Sequence, residues 1–150
     1  MTKNQQNKIH PDFLRFLELK EQNLIELYKD LRAFIMDLYP DTNELLYHTH
    51  ALTSLYSISE KMSDGFCMIP IYNNHLNLGF NKGTLLTDKH NLLTGTGKLI
   101  RHIPVKEIRD YRNDKVKDLV KLAIDFAIED MGKPTKSIGQ TISKIKTNTK

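Results

Sequence analysis

The sequence predicts an α+β fold in which an antiparallel sheet of four to six strands packs against helices from the two ends of the chain. Three observations carry that reading. Apolar residues recur at helical spacing between residues 13 and 38, short runs rich in β-branched and aromatic residues fill the middle, and a capped amphipathic segment ends near residue 131. With 150 residues, 39% of them hydrophobic, the chain fits one domain with one core.

Residues 1–10 are polar and aperiodic and read as a flexible amino terminus. Order is expected from Pro11, a residue tolerated in the first helical turn, and Phe13, Leu17, Leu24, Leu27, Leu31, Phe34 and Leu38 then form a seam interrupted by Lys20. This is one long helix, or two with a break near residues 21–23. Pro40 ends it, because the residue before a proline disfavours helical geometry. The seam packs on a sheet, or else forms a homodimer through this first helix. Candidate strands follow at residues 44–50, 52–57, 66–71 and 75–80, with a fifth, shorter one around 99–103. Ser63-Asp64-Gly65 and Asn73-Asn74 supply hairpin turns, so neighbouring strands run antiparallel as a meander. In the last helix Asn113 or Asp114 caps the start, Val116, Leu119, Val120, Ala123, Ala127 and Met131 form the stripe, and Gly132 with Pro134 stops it. The ordered domain is therefore residues 11–132, and residues 133–150 read as a flexible basic tail.

The net charge of +4 resides in that tail, which holds five lysines and no acid, leaving 17 basic and 18 acidic residues in the first 132. A near-neutral body and a tail without aromatics do not suit specific nucleic-acid binding. A lone Cys67 excludes an internal disulfide, and no stretch nears the roughly 20 apolar residues of a membrane span. With no apolar leader in view, a cytoplasmic protein without a membrane partner is expected.

Four of the seven glycines, Gly79, Gly83, Gly95 and Gly97, fall between residues 76 and 103 beside a cluster of basic side chains. Glycine permits positive φ and close backbone approach, so this block is built around backbone geometry. Lys82, Lys98, Arg101 and His102 are candidate anion partners, with Gly83 and the Gly95-Thr96-Gly97 turn offering backbone amides as a nest. A phosphate-binding P-loop would need glycine where Leu92 stands and Ser or Thr where Leu99 stands. A dinucleotide fingerprint would need three glycines between a strand and a crossover helix.

The run Leu78-Gly79-Phe80, Lys82-Gly83, Leu86, Asp88, Leu92-Leu93, Gly95-Thr96-Gly97-Lys98, Arg101-His102-Ile103 resembles the signature of the YdhG-like family of small bacterial proteins, a domain of unknown function. The resemblance spans about residues 12–131. It implies the same α+β arrangement, and some relatives are frataxin-like iron chaperones, so iron is the cofactor or cargo it suggests. Relatives carry a tryptophan and a proline in the strand after the first helices, whereas this chain reads Leu46-Tyr47-His48-Thr49-His50.

An acidic helix face is the feature that would matter for iron. At 100° per residue Glu26, Asp30 and Asp37 lie opposite the apolar seam, with Asp41 and Glu44 just beyond it, and hard iron ions favour carboxylates. His48 and His50, two apart on a strand, would share a face and need a third ligand from His75, His102 or a carboxylate. Cys67, in an apolar run, reads as a small buried residue. No local signature marks a nucleophile with its base, and no catalytic residue is assigned. Three roles stay open: a weak iron-binding chaperone, a module that binds an anionic phosphate or carboxylate through the glycine-rich loop, and a non-catalytic dimeric scaffold.

Overall fold

The computed structural model describes residues 8–146. The flexible segment expected at residues 1–10 thus falls largely outside the described residues, as do residues 147–150 of the expected tail. The seam forms two helices, α1 (Pro11–Leu17) and α2 (Gln22–Leu38). His10 caps α1 by accepting the Asp12 amide on Nδ1 at 3.0 Å, with Pro11 in the first turn. The break falls where Lys20 interrupts the seam. Its ammonium donates to the Tyr72 carbonyl at 3.1 Å instead of entering the core, and the apolar stripe resumes at Leu24.

Five strands follow the expected meander: β1 (Asn43–His48), β2 (Leu52–Ser57), β3 (Gly65–Ile71), β4 (Leu76–Phe80) and β5 (Arg101–Val105). Consecutive strands pair antiparallel, as short connections require. Helix α3 (Asp114–Met131) begins at Asn113, whose side chain accepts the Val116 amide, and closes on Gly132. All three helices cover one face of the sheet. Leu46, Tyr56, Ile69, Leu78 and Ile103 on that face meet Phe13, Leu31 and Phe34 from the first helices and Val120 and Ala123 from α3. The opposite face carries a smaller cluster of Leu45, Leu55 and Met68 beside Tyr47 and Ile142.

The carboxy-terminal segment departs from the sequence reading. Residues 141–143 form a sixth strand, β6 (Thr141–Ser143), which pairs parallel with β1 and gives the order β5-β4-β3-β2-β1-β6. The sheet is therefore mixed, and a flexible tail beginning at residue 133 is corrected for this stretch. Polar anchors hold it where apolar content is low. Asn43 Oδ1 accepts the Ile138 and Gln140 amides at 3.1 and 3.2 Å, Thr141 donates to Glu44 at 3.0 Å, and Ser143 donates to Asp12 at 2.6 Å. Ile145, only 8% exposed, completes the attachment in the main core.

Glu44 is the centre of a buried polar network. Arg32 of α2 grips it with Nε at 2.7 Å and Nη2 at 3.0 Å, and the Tyr56 hydroxyl donates to it at 3.0 Å. Ser54 sits 2.8 Å from the Tyr56 hydroxyl, and the Tyr28 hydroxyl donates to Ser54 at 3.1 Å. Burial pushes both tyrosine hydroxyls well above their ordinary ionisation range, so both remain protonated donors. Removing one partner of such a pair costs far more than replacing both.

Two stability outcomes follow. Glu44→Ala is expected to lose about 3–5 kcal/mol in urea unfolding, and the paired change Arg32→Met with Glu44→Leu to recover most of it. Ile145→Ala is expected to cost about 2 kcal/mol or more, whereas an unattached tail would leave the urea midpoint unchanged.

Candidate anion-binding surface

The strand pairings put the start of β1, the end of β2, the start of β3, the end of β4 and the start of β5 at one end of the sheet. The glycine-rich block leaves β4 there, returns to β5 there, and is ordered by its own hydrogen bonds. Gly83 opens a short 3-10 turn (Gly83–Leu85) whose backbone passes so close to β5 that a Cβ would lie 2.6 Å from Arg101 Cβ. That approach is open only to glycine. Thr84 then bonds the opposite limb, its amide to the Leu99 carbonyl at 3.1 Å and its hydroxyl to the Lys98 carbonyl at 2.9 Å. Farther along, the Asp88 carboxylate accepts the Leu92 and Leu93 amides at 2.9 and 2.8 Å. Thr94 and His102 exchange backbone hydrogen bonds of 2.9 and 3.0 Å, which extends the sheet edge beside β5.

This bridge also protects the edge. The backbone of His102 faces outward to Thr94, and two residues on Pro104 faces the same way with no N–H to offer another strand.

The basic residues diverge in their commitments. Lys82 turns away to an ion pair with Asp130 of α3. Arg101 donates Nε to the Gly97 carbonyl at 3.1 Å, which pins the guanidinium while its two terminal nitrogens have no protein partner among the described residues. Gly95, at φ +122°, passes between the side chains of its two basic neighbours: a Cβ there would lie 3.3 Å from His102 Nδ1 and 3.4 Å from Arg101 Cδ. Burial first, and the charge of His75 second, hold the His102 imidazolium below its ordinary pKa, so the ring is neutral at neutral pH. Thr96, Gly97 and Lys98 are exposed on the turn. Arg101, His102 and the Gly95-Thr96-Gly97 turn are therefore neighbours, Lys98 follows directly, Gly83 is structural, and Lys82 is engaged elsewhere.

The five carboxylates considered for iron are dispersed. Glu44 lies in the interior with Arg32, and Glu26 is exposed beside Gln22. Asp30 accepts hydrogen bonds from Arg112 and Tyr111, and the bond from Arg112 leads the causes that hold its pKa below the usual carboxylate value. Asp37 and Asp41 are exposed at the end of α2 and after it. His48 ends β1 with its ring 4.5 Å from that of Phe16, while His50 lies past the strand in the turn. Among the described residues no three His, Cys, Asp or Glu side chains converge closely enough to hold an ion. The set does not form a coordination site. Cys67 is fully buried, and burial pushes its thiol pKa well up.

A separate groove of about 450 Å³ runs between residues 87–92 and α3, with Leu92, Leu119 and Leu122 along it and Lys115, Asp118, Lys121 and Asp125 among its charged residues. Sequence reasoning missed this groove and the role of Asp88 as the loop's organiser. An acidic residue four and five positions before two leucines was the only local signal. Comparison with family models, with curated proteins and with solved structures gives no match to this chain.

Asp88→Ala is expected to free the Leu92 and Leu93 amides. Hydrogen exchange should accelerate at those two positions while α3 stays protected, and stability should fall by about 1–3 kcal/mol.

Proposed function

We propose that this chain is a YdhG-like domain acting as a binding module, whose glycine-rich block takes an anionic group, a phosphate or carboxylate, on Arg101 with help from Lys98 and His102. One observation carries the reading. Arg101 is fixed by a single hydrogen bond from Nε to the Gly97 carbonyl and retains the planar pair of terminal donors suited to a bidentate anion. The iron-handling role and the dimeric scaffold draw no comparable support from the geometry. The apolar seam read as a dimer face lies inside the domain, against the sheet.

Binding to the native state must raise its melting temperature. Inorganic phosphate at constant pH is expected to stabilise the protein, and Lys98→Ala with Arg101→Ala to abolish the rise while leaving the unliganded melting point within a degree or two. The absence of any shift with phosphate, sulfate or carboxylates would end the proposal.

The pH dependence has a definite sign. An anion favours the protonated imidazole, so binding takes up a proton and tightens as pH falls through the lowered pKa of His102. Sulfate, which keeps its charge, is expected to bind several-fold more tightly at acid pH than at neutral pH. His102→Gln should flatten that profile.

A further inference from the structure

The end of the sheet that carries the glycine-rich block also gathers most of the large apolar side chains left in solvent. Met62 precedes β3, Leu85, Leu99 and Ile100 lie between β4 and β5, and Ile138 precedes β6, with exposures of 40, 56, 42, 50 and 69%. Leu19 and Ile108 lie at the other end and Leu122 lies on α3. Folding has not hidden these five, although the loops that bear them are held by ordered hydrogen bonds such as those from Thr84 to Leu99 and Lys98.

Cations share the loops that carry these apolar side chains. Lys61, Lys98, Arg101, Lys133 and Lys136 belong to the same loops and strand end, and none of them is in an ion pair among the described residues. Of the carboxylates at this end, Asp130 pairs with the Lys82 ammonium, Asp64 and Glu60 accept hydrogen bonds from the neutral Ser59 and Gln140, and Asp41 is exposed just before β1. The stretch from residue 89 to residue 106 contains no acid at all.

We propose that this end of the sheet docks on an anionic membrane surface, with Leu85, Leu99, Ile100, Met62 and Ile138 entering the interface and the cations meeting lipid headgroups. The anion of the preceding section is then a headgroup phosphate or carboxylate, so this inference rests on that reading. Separate apolar side chains on three loops, with cations on the same loops, match a fluid interface that accepts side chains singly. A second copy of the chain would need a contiguous complementary area of about 800 Å² on each partner.

Sedimentation with vesicles tests the idea. The probes are phosphatidylcholine vesicles, alone or containing phosphatidylglycerol, and the variant is Leu85→Ser with Leu99→Ser and Ile100→Ser. All three positions are exposed, so its melting temperature should stay near that of the parent protein. The parent is expected to sediment with the anionic vesicles and not with the neutral ones. The variant should bind more weakly by about tenfold for each side chain removed, while its thermal response to inorganic phosphate persists. Equal, fully salt-sensitive binding by parent and variant would overturn the docking model in favour of bare charge attraction. A parent that ignores vesicles yet responds to phosphate would overturn docking and leave the anion site standing, whereas no response to either would remove both. A parent dimer that the variant converts to monomer would show that this face meets a second copy, which also overturns the proposal.

Discussion

The buried carboxylate of Glu44 is the constraint around which the fold is arranged. It sits on β1 and is 1% exposed, yet it is gripped by a guanidinium from α2, a hydroxyl from β2 and a hydroxyl from β6. A charge taken out of water must find these partners or neutralise. The requirement fixes the register of α2 on the sheet and the place of β6 beside β1. Arg32 also donates to the Lys8 carbonyl at 3.2 Å, so the segment before α1 is drawn to the same point. Three stretches distant in sequence are thereby located by one ionised group.

The helices and the first five strands were legible because their periodicities agree with their surroundings. The seam from Phe13 to Phe34 has one face because it packs on one sheet, and Asn113 and Gly132 mark α3 by local capping chemistry. Residues 141–143 gave no such signal. A short parallel edge strand held by Asn43, Thr141 and Ser143 depends on side-chain hydrogen bonds to positions about a hundred residues away, and local pattern cannot register them. Glu44 illustrates the same limit. The sequence placed it just past the acidic helix face, at the start of a strand, and only the packing of α2 and β6 on that strand end makes it an interior residue.

The candidate site was legible in its outline. Clustered glycines and cations located the block, and Arg101, His102 and the Gly95-Thr96-Gly97 turn are adjacent in space. The commitment of Lys82 to Asp130 was not readable, since it depends on where α3 ends. Nor was the exposure of Leu85, Leu99 and Ile100, which in a linear reading resemble any other core residues. Exposure is settled by topology, because a loop outside the end of a sheet has no layer to cover it.

The parallel seat of β6 affects how the molecule is made. Its closing contact joins residues 97 positions apart, Glu44 and Thr141, while every other strand pairing joins neighbours in the chain. During synthesis the helices and meander can condense as they emerge from the ribosome, but the outer edge of β1 stays bare until the last strand is released. Nascent chains stalled before that point would present an unpaired, partly apolar strand to one another, which makes the interval before release the period of greatest aggregation hazard.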